Sequence, residues 1–344
     1  MSQKFLLAAV GLMLWGASRK GYLLHASIGT VAIAGLLRWF GVNRLSLPDF
    51  PRGTSDASSH PANAGVPAGS GQVLRVCSHN VWGHYFVRAP NKQQRLRAFV
   101  EHVANDRFDV VLMQEMFLGR LGPMYISTEI EDVIARMQAA GYLFWTDPTA
   151  SLPYFGQNSG LMIFSKYPIK RSVYENFSGT KEIPSQKGLI ISEIEVGASG
   201  GMTVLVGNTH FDSRSVDGRI SETRQVFDAV RREIAISHGG NTGRPVRCIV
   251  GGDFNIDIRD GRLYTQLEEA ASAVGLENIF ANSTKSTERS GLQIDHLFVS
   301  VNTLPVVGSR VLDYVIPAAV RNSRPAEPEG VSDHYGLGAD LRLA

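Results

Sequence analysis

The stretch Val250-Gly251-Gly252-Asp253-Phe254-Asn255-Ile256-Asp257 follows an apolar run, Val246 to Val250, that reads as a buried strand. Along an extended backbone side chains alternate, so Asp253 and Asn255 point to one side and Phe254 to the other. The paired glycines let the backbone approach a neighbouring strand or a ligand without a Cβ in the way. A carboxylate and a carboxamide side by side at the mouth of a sheet suit a phosphate-plus-metal site, one orienting water or a cation, the other donating to a phosphoryl oxygen. Taken alone, the stretch is better explained by an Asp/Asn turn.

Five further segments place reactive side chains at strand ends. Cys77-Ser78-His79-Asn80-Val81-Trp82-Gly83, Val111-Leu112-Met113-Gln114-Glu115 and Gly207-Asn208-Thr209-His210-Phe211 close strands, Gln293-Ile294-Asp295-His296-Leu297 opens one, and Val331-Ser332-Asp333-His334-Tyr335 precedes the last. Each alone has a plain explanation: Asn80 as a turn residue, Glu115 as a helix-start carboxylate, His210 as a satisfied core histidine, Asp295 as a loop cap. Together the cost of burying a carboxylate, amide or imidazole in six segments is recovered only if they meet.

The elements that must bring them together alternate. Strand patterns cover 73–81, 110–116, 161–165, 190–196, 203–211, 247–254, 294–299 and 335–343; helical patterns cover 93–104, 128–140, 221–236 and 262–274. Several strands are apolar throughout and therefore buried on both faces, which predicts one α/β domain of layered sheets covered by helices. No internal repeat is visible.

With 44% hydrophobic residues, the 344-residue chain can bury a large core. Residues 1–71 hold six of the 34 Lys/Arg and two of the 32 Asp/Glu, which leaves 28 basic and 30 acidic residues beyond. That balance of −2 lacks the basic excess of a domain that grips a polyanion, so a nucleic-acid partner is not expected. Cys77 and Cys248 lie in apolar runs without C-x-x-C spacing and read as buried thiols.

Residues 1–47 form a hydrophobic segment in which Phe5 to Ala17 and Tyr22 to Phe40 flank Ser18-Arg19-Lys20-Gly21. Three readings are open: a helical membrane anchor, a cleaved signal peptide of a secreted protein, or an organelle-targeting segment. The anchor is favoured, because a signal peptide leaves the second apolar run unexplained. Residues 48–71, rich in Pro, Gly, Ser and Ala, read as a flexible linker, and 72–344 as the folded domain.

The set Asn80, Glu115, His210, Gly252-Asp253-Phe254-Asn255, Ile294-Asp295 and Ser332-Asp333-His334, in this order, resembles the endonuclease/exonuclease/phosphatase (DNase-I-like) superfamily. His79-Asn80-Val81, the run from Gly160 to Ile169, Lys187-Gly188 and Thr209-His210 before Asp212-Ser213 are most similar to neutral sphingomyelinases. The resemblance implies two packed, mostly antiparallel sheets flanked by helices, a four-layer α/β/β/α sandwich. It also implies phosphodiester hydrolysis with Mg²⁺, or Mn²⁺, as cofactor.

Under that resemblance Glu115 is the principal metal ligand, with Asn80 as second ligand or phosphate donor. His334 is the general base, aligned by Asp295. Asp253 and Asn255 orient water and the phosphoryl group, His210 donates to a phosphoryl oxygen, and Asp333 is a further metal contact or a backbone-fixing carboxylate. Lys187 could approach the phosphate, although a solvated lysine is the plainer expectation. A membrane phospholipid, sphingomyelin above others, is the expected substrate. A tethered nuclease or inositol-phosphate phosphatase and a silent membrane-bound binding module are the alternatives.

Overall fold

The computed structural model describes residues 72–84, 91–121, 124–127, 129–180, 186–197, 202–237, 247–318 and 329–343. The anchor and linker expectations, 1–47 and 48–71, fall outside these residues. Among the described residues no helix is long and apolar enough to cross a membrane.

Two sheets form the body. The first runs β14 (Val306–Leu312), β15 (Gly336–Arg342), β1 (Val73–Asn80), β2 (Val110–Gln114), β7 (Met162–Ser165), β5 (Phe144–Trp145). The second runs β12 (Glu277–Asn278), β13 (Asp295–Val299), β11 (Cys248–Asp253), β10 (Met202–His210), β9 (Gly188–Val196), β8 (Ile169–Asn176). A small third sheet joins β4 (Met124–Ser127), β3 (Leu118–Leu121) and β6 (Phe155–Gln157). Within the two large sheets only β1–β2 and β10–β11 pair in parallel. Each parallel pair needs a crossover, supplied by helices α1 (Lys92–Asn105) and α3 (Val216–Ser237).

Period-two alternation explains why the central strands read as apolar throughout. On β2, Val111 and Met113 face outward onto Leu96, Phe99 and Val103 of α1 and Val133 and Met137 of α2 (Ile130–Ala139), while Val110 and Leu112 face inward. On β11, Val250 faces Val226 and Val230 of α3 and Leu267 of α4 (Gly261–Ser272), while Ile249 faces inward. The inward rows of the two sheets pack on each other, with Leu112 and Ile163 meeting Val206, Ile249 and Leu297 in one cluster. The result is an α/β fold with sheets flanked by helices.

The apolar-run reading passed over β8 and β14, and both are edge strands. They hold half-buried residues and charges such as Lys170, Arg171 and Arg310, so no apolar run marks them. Helix α3 starts five residues earlier than the periodicity predicts, because Ser215 caps it: its Oγ accepts from Gly218 N at 3.0 Å. Both cysteines are buried and free.

Candidate active site

Strand direction gathers the site. The parallel strands β1, β2, β10 and β11 all end at one edge of the two sheets, and the antiparallel strands β9, β13 and β15 all begin there. Register places Asn80 opposite Gln114, His210 opposite Asp253 and Gly188, and Asp253 opposite Asp295. One step behind this edge the sheets are tied together. Gln114 Nε2 donates to Asn208 Oδ1 at 2.8 Å, and Asn208 Nδ2 donates to the Met113 and Met162 carbonyls at 2.9 Å each. Close approach also needs glycine: a Cβ on Gly251 would lie 2.9 Å from Leu112 Cδ1 and 3.2 Å from Ser78 Cβ, and one on Gly252 would collide with the Thr209 carbonyl.

Asn80, fully buried, lies at the centre. Its Nδ2 donates to Glu115 Oε1 at 3.2 Å and to Asp253 Oδ2 at 3.0 Å, and stands 3.5 Å from His334 Nε2. Its Oδ1 accepts from Trp82 N at 3.0 Å, so the amide nitrogen, not the oxygen, faces the carboxylates. His334 Nδ1 donates to Asp295 Oδ2 at 2.9 Å. Thr287 Oγ1 accepts from the backbone N–H groups of Ile294 and Asp295, which fixes the start of β13.

Asp253, Asp295 and His334 each offer an atom within 4.8 Å of the others, a grouping that by distance alone could hold an ion. Because His334 Nδ1 is already committed to Asp295, the trio reads better as a proton-handling pair beside Asp253, with Nε2 left facing the site. Burial works against a charged His334, but the carboxylates of Asp295, Asp253 and Asp333 outweigh it and hold the pKa well above the usual value. Asp295 itself is pushed up to about 6, chiefly by burial and against the pull of His334.

Glu115 is the strained member. It takes φ +66°, and Trp82 and Asn255 are also among the six non-glycine residues with positive φ among the described residues, so half of that strain lies at the site. Burial, with Asp333 adding to it, raises its pKa to about 7 against the pull of Lys187. Its Oε2 is buried with no hydrogen-bond partner. An orphaned carboxylate oxygen among oxygen donors suits a hard divalent cation, so the residues fit the metal that the sequence implied.

His210 is held neutral by burial and then by Lys187, whose Nζ lies 2.8 Å from its Nε2. Lys187 is 1% exposed, which overturns the solvated reading: it precedes β9, whose first residue pairs with His210, and is drawn inward with that strand. Asn255 sits beside Asp253 but not by pleating. The strand ends at Asp253, and the left-handed turn at Asn255 lets its N–H donate to Asp253 Oδ1 and its Nδ2 to the Phe211 carbonyl, both at 3.0 Å. Phe254 points away into the core against Phe211 and Phe298, as alternation predicts. Asp333 accepts from Ser332 Oγ at 3.2 Å and reaches the site through its charge on Glu115.

Two supporting residues were invisible in the sequence. Arg95 of α1 is fully buried and donates to the carbonyls of Val81, Val331 and Trp82 at 3.0, 2.8 and 2.9 Å, clamping the loop after β1 to the one that carries His334. The only signal is an arginine beside Leu96 on an apolar helix face. His296 bridges the Ile256 carbonyl at 2.7 Å and Asn278 at 3.2 Å, bracing the turn after β11. Trp145 is buried, while Tyr154 and Phe155 are each 54% exposed.

A family model described as "Endonuclease/Exonuclease/phosphatase family" matches residues 77–334. A search of curated proteins finds no match. Solved structures similar in fold include beta toxin from Staphylococcus aureus, at TM-score 0.60 and 17% identity over 77% of this chain and 99% of that one. A mutant of that toxin with bound magnesium ions aligns at TM-score 0.57 and 17% identity over 78% and 99%. A mannosyl-6-phosphatase from Bacteroides thetaiotaomicron aligns at TM-score 0.54 and 17% identity, again over 78% and 99%.

Proposed function

The chain belongs to the endonuclease/exonuclease/phosphatase family, whose members hydrolyse phosphate esters, and on that premise we propose that it is a Mg²⁺-dependent phosphodiesterase of a phospholipid headgroup, converting sphingomyelin to ceramide and phosphocholine. The observation that carries the hydrolytic part is the Asp295–His334 hydrogen bond of 2.9 Å, with Nε2 turned toward Asp253 and, across Asn80, toward Glu115. Water attacks phosphorus as His334 Nε2 takes its proton, while Asp295 keeps the other ring proton in place and stabilises the imidazolium. Asp253 and Asn255 orient that water. Asn80, with one amide hydrogen on each, holds the Glu115 and Asp253 carboxylates in position. His210, neutral, and Lys187 beside it supply further positive dipole and charge where the oxygens gain electron density. The P–O bond to the lipid alkoxide breaks, and the alkoxide leaves to be protonated by solvent; no side-chain nucleophile takes part. Glu115, with Asp333 as a further contact, would hold a divalent ion, which would supply charge neutralisation for the phosphate and lower the His334 pKa toward neutrality.

The choice of lipid rests on the sequence. The apolar composition of residues 1–47 favours a membrane anchor, which would raise the domain's effective concentration at headgroups, and a domain balance of −2 disfavours a polyanion. The deciding assay offers sphingomyelin, phosphatidylcholine, a lysolipid, linear DNA and a sugar phosphate, with and without Mg²⁺, with His334→Ala as control. Phosphocholine release from sphingomyelin is expected. Preferential cleavage of DNA or the monoester overturns the lipid assignment, and no turnover of any substrate returns the protein to a binding role.

A further inference from the structure

His84 lies four residues beyond the end of β1, and its Nε2 stands 3.8 Å from Glu115 Oε2. That oxygen is the buried one without a hydrogen-bond partner, whereas its twin Oε1 accepts from Asn80. The imidazole rests on the Phe117 ring at 4.6 Å between centroids, which limits where it can swing, and its side chain is 19% exposed. Loop and glutamate are also locked together: a Cβ on Gly83 would strike the Glu115 carbonyl. A ring nitrogen and a carboxylate oxygen thus border one small volume. Ligands about 2.1 Å from a shared ion and at right angles are roughly 3.0 Å apart, so the pair has to close by less than about 1 Å.

We propose that His84 supplies an imidazole ligand to the same divalent ion that Glu115 holds, which makes the site a mixed nitrogen–oxygen one that binds Mn²⁺ more tightly than Mg²⁺. An all-oxygen site has no reason to favour the softer ion to that degree, whereas one imidazole does. The inference rests on the reading of Glu115 as metal ligand given above, and the test separates the two.

Mn²⁺ is titrated into the full chain by electron paramagnetic resonance, pulsed spectra are taken for nitrogen coupled directly to the metal, and Mg²⁺ affinity is measured by competition. Wild type shows coordinated nitrogen. His84→Asn loses it, and its Mn²⁺ dissociation constant rises about tenfold while that for Mg²⁺ moves less than about threefold. His84→Asp restores tight binding with the preference turned toward Mg²⁺, a result that loss of fold could not produce. Nitrogen coupling that persists in His84→Asn, or an unchanged Mn²⁺/Mg²⁺ ratio, overturns the role of His84 and leaves Glu115 untouched. If Glu115→Gln binds Mn²⁺ as wild type does, the Glu115 reading falls and takes this one with it.

Discussion

Glu115→Gln separates a metal ligand from a structural carboxylate, because the two differ in the sign of their effect on stability. Glu115 is raised from 4.5 to about 7 in the folded chain, mainly by burial. A folded-state pKa above the unfolded one means that the folded protein binds the proton more tightly. The associated stability is therefore complete below pH 4.5 and is lost as pH rises to about 7. At about 1.4 kcal/mol per unit the shift corresponds to about 3 kcal/mol, reduced to roughly 2–3 kcal/mol because some water reaches the side chain. Glutamine replaces the neutral acid nearly atom for atom and keeps an acceptor for Asn80 Nδ2. The metal-free variant should then equal wild type near pH 4 and exceed it by about 2–3 kcal/mol at pH 8. Mg²⁺ at a thousandfold excess over its dissociation constant should reverse the order, since wild type then gains about 4.1 kcal/mol and the variant gains none. Urea unfolding with chelator and with Mg²⁺, at both pH values, measures all of this. A variant less stable than wild type at pH 8 without metal, or stabilised by Mg²⁺ to the same extent, refutes the reasoning.

Asp295→Asn removes the largest upward influence on His334, so the acidic limb of the pH–rate profile should move to lower pH while the plateau falls about 10²–10⁴-fold. The same carboxylate gives a stability contribution that is complete below pH 6.5 and is lost as pH rises through the elevated His334 pKa, and its loss should show as a flatter stability–pH curve. Gln114→Leu leaves Asn208 Oδ1 without its donor between the sheets and should cost about 1–3 kcal/mol in unfolding free energy. Turnover should fall more than metal affinity, because the tie sets the distance between the two halves of the site and not the ligands within either.

Much of the site was legible because its members stand at the ends of strands that announce themselves. Asn80, Glu115, His210 and Asp253 each close an apolar run, and a buried polar group in that position has to find partners. What stayed hidden depends on contacts between segments far apart in sequence. Lys187 looks like any lysine before a strand until the pairing of Gly188 with His210 pulls it inside. Arg95 is a charge on an apolar helix face with no visible partner until three carbonyls converge on it. Asn255 was placed on the correct side for the wrong reason, since a left-handed turn and not the pleat sets it there. The edge strands β8 and β14 escaped because strands at a sheet edge carry charge that breaks their apolar pattern.

The absence of a visible repeat conceals a regularity of topology. Each large sheet has a central parallel pair joined through a helix, β1–α1–β2 in one and β10–α3–β11 in the other, and each pair is flanked on both sides by antiparallel neighbours. A parallel pair sends both of its carboxyl ends to one edge, and antiparallel flanking strands start from that edge, so each sheet presents four chain ends there. Packing the sheets face to face with these edges aligned is enough to bring Asn80 and Glu115 from one sheet against His210, Asp253 and Asp295 from the other. His334 arrives on the connection into β15 and completes its hydrogen bond across the interface with Asp295 of the second sheet. The site therefore exists only when the two sheets are docked, and the buried Gln114–Asn208 bond, one residue behind it, is where docking and catalysis share a fastening.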